Sequence, residues 1–232
     1  NLPFATVDDT AFKDGTLWGL RNQGQENGLN DADIDIEAAW DLSTGQPLDG
    51  ETVVAVMDSG VRITHNDLIN RIWVNDDEIP NNNIDDDLDG YVDNYNGVDF
   101  TNDTGDPVDV MSHGTHVSGT IAASANDGNP LVGVAYGARI LPCKLGDYGM
   151  NQSAFIKAVE FCVQEGVKIA NCSFGGYGAN QAIFDVLQEA GENGDMIFII
   201  SAGNDSNDND ALPVYPAGYE LECIVSVAAT DR

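Results

Sequence analysis

Basic residues are scarce in this 232-residue sequence, which has 9 Lys and Arg against 39 Asp and Glu and a formal net charge of −30. Nucleic acids and anionic membrane surfaces attract positive charge, so this balance argues against both as partners. Long apolar runs are also missing, and stretches such as MIFIISAG fall well short of the roughly 18 residues of a membrane span. The chain begins at Asn1 without an initiator Met or a signal-like segment, which predicts a mature or trimmed product.

Cysteine is rare too, and the four cysteines lie far apart without a CxxC pair: Cys143, Cys162, Cys172 and Cys223. Their spacing argues against zinc and redox motifs. Four cysteines allow three pairings if all are bridged. Three of the four lie in or beside apolar, strand-like runs, which is equally typical of buried thiols, so disulfides stay open at this point.

The composition, with 42% hydrophobic and 21% charged residues, is that of one folded domain with a sizeable core. Runs rich in Val and Ile alternate with helical patterns along the chain. This alternation predicts an α/β fold: a mostly parallel sheet with helices on both faces. Strands are expected at 52–57, 138–145, 167–174, 195–203 and 221–229, and helices at 36–40, 113–124, 152–165 and 181–193.

Three chemically suggestive positions lie at or just past the ends of predicted strands, at Asp58, at Ser173 and at the Gly203-Asn204 pair. The carboxyl ends of parallel strands meet at one edge of a sheet, where open α/β sheets bind their ligands. Asp-Ser-Gly after a strand also starts ordinary turns, so Asp58 alone is weak evidence. Three such segments at three strand ends together predict a functional site.

Two of the three histidines, His113 and His116, lie in the segment HGTH at the start of a helix of small residues. A zinc site would need a third ligand and the glutamate of HExxH, which is missing here. The alternative is an Asp–His pair, in which a carboxylate accepts the Nδ1–H of the imidazole while the other nitrogen acts as a base. The side-chain amide of Asn204 would then donate to a developing oxyanion.

The segments VVAVMDSGV, HGTHVSGTIAA, CSFGG and SAGN, in this order, resemble the subtilisin-like serine peptidases, or subtilases, from about Trp18 to the end. The resemblance implies a subtilisin-like fold and a serine endopeptidase. It implies Asp58 as the triad acid, His113 as the general base, His116 as a structural histidine and Asn204 as the oxyanion donor.

The same resemblance implies that a polypeptide substrate lies extended between two segments of the chain, as a third strand. One segment is Ser173, Phe174 and Gly175, and the opposing one is Gly149, Met150 and Asn151. Asp205 resembles a position at the rim of the first substrate pocket, which favours basic or polar side chains there.

The sequence departs from the family at the nucleophile, because no serine lies in a GTSxA segment. We therefore expect residues 1–232 to be part of a catalytic domain, truncated on its C-terminal side and inactive alone. Its partners would be the missing C-terminal part of the enzyme and a propeptide. The alternative from another class is a pseudoenzyme or calcium-dependent binding module on the same fold.

Calcium is the cofactor that the resemblance implies, first at a site that joins the N-terminal arm (1–50) to the core. The expected side-chain ligands are Asp9, Asp67 and Asp127, with Asp8 as the alternative to Asp9. Carbonyl ligands would come from Ser124, Asn129 and Leu131. Six ligands meet the lower end of calcium's coordination number.

A second calcium site is expected in the Asp- and Asn-rich insertion 65–112, where DDDLDGYVD matches the opening of an EF-hand loop. Asn96 replaces the twelfth-position glutamate, so an ordinary EF-hand is excluded, and Glu78 is the candidate to supply that carboxylate. The predicted ligands are Glu78, Asp85, Asp87, Asp89, Tyr91 and Asp93. A weaker third candidate comprises Asp99, Asn102, Asp103 and Asp106.

Each acidic loop has a second interpretation as solvated surface. Three calcium ions would cancel only about 6 of the 30 negative charges, since each carries two positive charges. Most of the acidity therefore belongs to the surface, which is consistent with a high-salt or extracellular setting. A secreted protein is the expectation.

Overall fold

Strands and helices alternate along the chain in the computed structural model, which describes residues 6–46 and 50–231. The predicted arm 1–50 therefore lies partly outside the described residues, at 1–5 and 47–49. The helices are α1 (Thr10–Lys13), α2 (Ile36–Trp40), α3 (His113–Ala122), α4 (Gln152–Gln164) and α5 (Gln181–Gly194), with a 3₁₀ turn at Gln25–Asn27. The strands are β1 (Val53–Asp58), β2 (Val98–Asp99), β3 (Arg139–Lys144), β4 (Ile169–Cys172), β5 (Ile197–Ser201) and β6 (Ile224–Val227).

All six strands pair in parallel, in the order β2-β3-β1-β4-β5-β6. Along β1, successive side chains point to opposite faces, as in any strand. Ala55 and Met57 pack with α4 and α5 on one face, whereas Val54 and Val56 pack with α3 on the other. The predicted parallel sheet with helices on both faces is confirmed.

The helices on the first face begin at polar caps. The Asn151 side chain accepts hydrogen bonds from the backbone N–H groups of Ser153 and Ala154 at the start of α4. Asn180 accepts in the same way from Ala182 at the start of α5. These side chains satisfy backbone donors that have no partner within the helix, so both helices begin at defined residues beside the sheet edge.

The insertion 65–112 is anchored to the core by aromatic packing. Phe161 of α4 is 2% exposed and contacts the rings of Trp73, Tyr91 and Phe100, all at edge-like angles. The prediction of a loop throughout this region is wrong at Val98–Asp99, which pairs with β3 as the edge strand β2. A two-residue strand is too short to produce a periodic pattern, so the sequence carries no signal for it.

The four cysteines are free thiols in the structure, and three of them are buried. The Cys143 and Cys162 sulfurs contact each other at 3.9 Å between β3 and α4, well beyond a disulfide bond length of about 2.05 Å. Within the described ranges, no helix is both long and apolar enough to cross a membrane.

We expect Phe161→Ala to destabilise the protein by about 3–5 kcal/mol, because it removes a fully buried ring and leaves a cavity between α4 and the insertion. Val163→Ala on the same helix is the control, since Val163 is 37% exposed. Equilibrium unfolding in urea measures both variants. Equal losses of stability in the two would contradict the anchoring role of Phe161.

Candidate active site

An aspartate and a histidine meet at the carboxyl end of β1. Asp58 is the last residue of β1, and its Oδ1 lies 2.7 Å from Nδ1 of His113, the first residue of α3. The Asp58 side chain is 5% exposed and the His113 side chain is 53% exposed. A buried carboxylate thus holds an imidazole whose other nitrogen, Nε2, is left for chemistry in the open cleft.

The helix carrying His113 approaches β1 so closely that only glycine fits at position 114. A Cβ on Gly114 would lie 2.2 Å from the Gly60 carbonyl oxygen and 3.0 Å from the Asp58 Cβ. The Gly114 N–H also donates to the hydroxyl of Ser59, which follows Asp58 directly. The glycine of HGTH therefore permits the close contact that brings the histidine to the aspartate.

The residues after β4 and β5 lie at the same sheet edge as Asp58, because β1, β4 and β5 are parallel neighbours. Ser173 follows β4, and Asn204 follows β5 by way of Gly203, whose φ of +98° is in the left-handed region. Asn204 is exposed, and its amide donates no hydrogen bond to the described residues. A free amide donor at this edge is suited to stabilising negative charge on a bound molecule.

Two segments with unpaired backbone groups flank the cleft in front of the Asp58–His113 pair. Within the described ranges, the peptide groups of 149–150 and 173–175 make no backbone hydrogen bonds. A space of about 240 Å³ beside the pair and another of about 310 Å³ farther along lie between these segments. Met150 and Phe174 line both spaces, so the cleft offers strand-like hydrogen bonding between apolar walls.

Asn151 and Asp205, both predicted near the substrate, are engaged with the protein itself. The side chain of Asn151 caps α4, and the backbone N–H of Asn151 donates to the Leu145 carbonyl. The Tyr177 hydroxyl donates to Asp205 Oδ2 at 2.5 Å, which joins the loop after β4 to the loop after β5. This hydrogen bond raises the pKa of Tyr177 above the ordinary tyrosine value.

Two charged residues that contribute to the site were not predicted from the sequence. Asp109, in the loop before α3, accepts hydrogen bonds from Ser59, the 111–112 backbone and Thr115. Lys144, the last residue of β3, is 8% exposed and lies 2.7 Å from Asp147 and 3.6 Å from Asp99. An aspartate in an acid-rich loop and a lysine in an apolar strand lack any local signal, so only the fold reveals them.

The insertion brings together three of its predicted calcium ligands. Among the described residues, one group places three carboxylate oxygens within 4.8 Å of one another, and it comprises Glu78, Asp85 and Asp87. Glu78 is 3% exposed, and its buried Oε2 has no hydrogen-bond partner among the described residues. A buried carboxylate oxygen is costly to leave unpaired, so this geometry fits a hard cation such as calcium.

Asp89 and Asp93, also predicted as ligands, lie outside this group of three. Asp93 uses both oxygens to accept backbone hydrogen bonds from Asn82 and Asn83. Asp89 accepts from the Tyr91 backbone and from Asn94. Burial raises the pKa of Asp89, although these hydrogen bonds lower it, and the neighbouring carboxylates raise it further. Both side chains shape the loop around the three clustered carboxylates.

At the N-terminal site, Asp9 and Asp67 are 3% and 5% exposed, whereas Asp8 is exposed, which favours Asp9 of the two alternatives. One oxygen of Asp67 and the hydroxyl of Ser124 are buried without a partner in the described parts of the chain. Burial raises the pKa of Asp67, and the carboxylates of Asp127 and Asp9 raise it further. The Asp67 site therefore also fits a cation, although its carboxylates are less tightly grouped than those near Glu78.

The carbonyl oxygens predicted for that site are available. Within residues 6–46 and 50–231, those of Ser124, Asn129 and Leu131 accept no backbone hydrogen bond. The third candidate calcium site is less suitable, because two of its carboxylates already form ion pairs with lysines. Asp99 pairs with Lys144, and Asp103 pairs with Lys157 at 2.6 Å.

Zinc at HGTH lacks support from the side chains around it. Nδ1 of His113 is hydrogen-bonded to Asp58, and among the described residues no group of three metal-ligating side chains includes His113 or His116. His116 is exposed on α3, where its side chain lines an open groove.

The family model described as "Subtilase family" matches residues 49–232. The chain therefore belongs to the subtilase family, as the Asp58–His113 geometry and the parallel sheet indicate. The predicted family and fold class are both confirmed.

Relatives in this family include the subtilisin-like protease 1 of Plasmodium berghei, which is 35% identical over 70% of this chain and 27% of its own length. Fervidolysin of Fervidobacterium pennivorans is 32% identical over 93% of this chain and 27% of its own length. A solved structure of proteases from Pseudoalteromonas arctica superposes with a TM-score of 0.67 at 27% identity, covering 97% of this chain and 66% of that one. The chain thus spans about a quarter of the length of the first two relatives.

We expect Gly114→Ala to separate α3 from β1 and break the Asp58–His113 hydrogen bond, because the added methyl has no space. Gly119→Ala on the same helix is the matched control, since nothing lies within 4 Å of its Cβ position. The control should be neutral or stabilising by up to about 1 kcal/mol, as alanine favours helix. Thermal unfolding and the NMR signal of the His113 ring measure the difference, and identical behaviour of the two variants would contradict the contact.

Proposed function

We propose that this chain supplies the acid, the base and the oxyanion donor of a calcium-stabilised serine endopeptidase. The observation that carries the proposal is the 2.7 Å contact between Asp58 and His113 at the floor of a cleft. Membership of the subtilase family supports it. A metal hydrolase would need a ligand set at HGTH that the described residues do not supply.

In this proposal the substrate peptide lies extended between the 149–150 and 173–175 segments and accepts and donates main-chain hydrogen bonds on both sides. Asp58 accepts the Nδ1–H of His113, which leaves Nε2 free to take the proton of a serine hydroxyl. The serine oxygen forms a bond to the scissile carbonyl carbon, and Asn204 donates to the resulting oxyanion. Breaking of the C–N bond releases the amine, which receives the proton from Nε2. Water then hydrolyses the acyl-enzyme by the same steps.

The nucleophile is proposed to come from a part of the protein outside these 232 residues. Across residues 6–46 and 50–231, no serine hydroxyl hydrogen-bonds to Nε2 of His113. Ser59 is committed to Asp109, and Ser173 accepts from Asn171. Strand β6 also supports a larger protein, since Val225 and Val227 are 46% and 48% exposed at the sheet edge. A C-terminal part that completes the sheet and a propeptide are the proposed partners.

A fluorophosphonate probe, which labels activated serines, tests the function directly. We expect the full-length protein to be labelled and the 232-residue chain alone to remain unlabelled. Asp58→Asn in the full-length protein should lower turnover by about 10⁴-fold, because the histidine loses its orienting acceptor. Measurement of peptide hydrolysis and labelling together checks both statements.

The control for that experiment is His116→Gln, which should retain activity because the His116 side chain is exposed and makes no hydrogen bond to Asp58 or His113 among the described residues. Loss of activity in this variant together with bound zinc would favour a zinc hydrolase. A full-length protein without labelling or hydrolysis would contradict the peptidase and favour a calcium-dependent binding module.

Calcium is proposed at two sites. Glu78, Asp85 and Asp87 would bind one ion, with the remaining predicted ligands of the insertion and water completing the shell. Asp9, Asp67, Asp127 and the free carbonyls would bind the other. The buried, unpartnered oxygens of Glu78 and Asp67 support both sites. Bound calcium would neutralise carboxylates that repel each other, which stabilises the insertion and the arm.

We expect chelation to lower the Tm, and more strongly at pH 8 than at pH 5. Burial raises the pKa of Asp67 and Asp89 in the folded protein, so without calcium their ionisation removes stability as pH rises above the ordinary carboxyl range. Calcium at 100 times its Kd contributes about 2.7 kcal/mol, which corresponds to several degrees in Tm. Calorimetric scans with calcium and with a chelator at each pH provide the measurement.

Glu78→Gln is the variant for the insertion site, and Glu160→Gln on the exposed side of α4 is its control. Calcium titration of Glu78→Gln should show one site fewer than the control. Equal stoichiometry in the two variants, or a Tm that chelation leaves unchanged, would contradict the assignment. An extracellular location is proposed as well, because the millimolar calcium found there suits sites of modest affinity.

A further inference from the structure

Among the described carboxylates beside the proposed active site, Asp109 accepts the most hydrogen bonds. Its Oδ1 accepts hydrogen bonds from the Ser59 hydroxyl and from the backbone N–H groups of Met111 and Ser112, each at 2.9 Å. Its Oδ2 accepts from the Thr115 backbone at 2.9 Å and from the Thr115 hydroxyl at 2.6 Å. Five donors therefore converge on one side chain.

These donors come from both sides of His113 and from the strand that carries Asp58. Ser59 follows Asp58 at the end of β1, whereas Ser112 and Thr115 precede and follow His113 at the start of α3. Ser112 occupies the N-cap position with a left-handed φ of +66°, and its own side chain does not cap the helix. Asp109 replaces that cap and joins α3 to β1 through Ser59.

The loop that carries Asp109 is itself fixed by buried contacts. The preceding residue, Val108, accepts a hydrogen bond from the buried Lys144 ammonium at 2.9 Å. Burial would raise the pKa of Asp109, but the hydrogen bonds from Thr115, Met111 and Ser59 outweigh it and lower the pKa. The side chain is therefore ionised over the range in which a histidine acts as a base, with all of its donors satisfied.

The His113 ring is more than half exposed, so packing alone does not fix its orientation toward Asp58. The backbone conformation at 112–115 sets the position from which the His113 side chain extends. The hydrogen bonds to Asp109 hold that backbone in place. We infer that Asp109 is a positioning residue that holds the Nδ1 of His113 against Asp58. This inference rests on the proposed peptidase function for its catalytic consequence, but its structural part holds for the chain by itself.

The first test uses the 232-residue chain labelled with ¹⁵N-histidine, which has three histidine rings to resolve. The single variants His65→Gln and His116→Gln assign the signals. Asp109→Asn should speed solvent exchange of the His113 Nδ1 proton at least tenfold. The side-chain NH₂ of the new asparagine would face N–H and O–H groups that also donate, so hydrogen bonds that hold the 112–115 backbone would be lost. Asp185→Asn, an exposed position on α5, should leave the exchange rate unchanged.

Thr115→Val supplies a milder variant in case Asp109→Asn unfolds, since it keeps the helix backbone and removes only one of the five hydrogen bonds to Asp109, together with the one that the Thr115 hydroxyl accepts from the Arg62 N–H. It should also speed exchange, by a smaller factor. In folded double variants, Thr115→Val should add little to Asp109→Asn, because both changes act through one network. An exchange rate that stays at the wild-type value in Thr115→Val and in folded Asp109→Asn overturns the inference, as does an equal increase in Asp185→Asn.

The second test uses the full-length protein and peptide hydrolysis. Asp109→Asn should lower kcat by roughly 10- to 100-fold, as expected when a catalytic group is displaced by a fraction of an ångström to an ångström. KM should stay within about twofold, because Asp109 does not line the 149–150 or 173–175 segments. A change in KM alone overturns the inference. If the wild-type protein hydrolyses nothing, the proposed function fails and the proton-exchange result still decides the role of Asp109.

Discussion

The close approach of the α3 N-terminus to the end of β1 is the contact on which the site depends. Without a side chain at position 114, the helix lies near enough for His113 to reach Asp58 and for the Gly114 N–H to reach Ser59. A sheet packed by helices on both faces provides the rigid support for this contact, since α3 covers one face of β1 and α4 covers the other. The geometry of the Asp58–His113 pair is therefore a consequence of helix–strand packing.

Three charged side chains around that contact have different roles. Asp58 orients an imidazole, Asp109 orients the backbone that carries it, and Lys144 fixes the loop from which Asp109 extends. Lys144 also reaches Asp147 in the cleft wall, so the proposed substrate-binding segment and the helix that carries His113 share one buried anchor. The acidic insertion is linked to the same anchor through Asp99 and to the core through the aromatic rings around Phe161.

Features that follow a periodic pattern or a known motif could be predicted from the sequence. Continuous Val and Ile runs predicted five of the six strands, and HGTH with Asp-Ser-Gly indicated the Asp58–His113 pair. The edge strand β2 was missed because two residues carry no periodicity. Asp109 and Lys144 were missed because their roles arise from neighbours far along the chain, 50 residues from Asp109 to Ser59 and 36 from Lys144 to Val108. In the insertion, six ligands were predicted, and the structure groups the carboxylates of Glu78, Asp85 and Asp87 within 4.8 Å of one another. The sequence pattern alone does not give the turns that place Glu78 beside the two aspartates.

Lys144 has a consequence for how the protein responds to dissolved ions. Most of the 39 acidic side chains face water, where their mutual repulsion falls as ionic strength rises and the Debye length shrinks from about 10 Å at 0.1 M to about 3 Å at 1 M. The Lys144 ammonium is almost fully enclosed, so its attraction to Asp99 is shielded from those ions. Dissolved salt would therefore weaken the repulsion among the exposed carboxylates more than it weakens the enclosed Lys144–Asp99 ion pair.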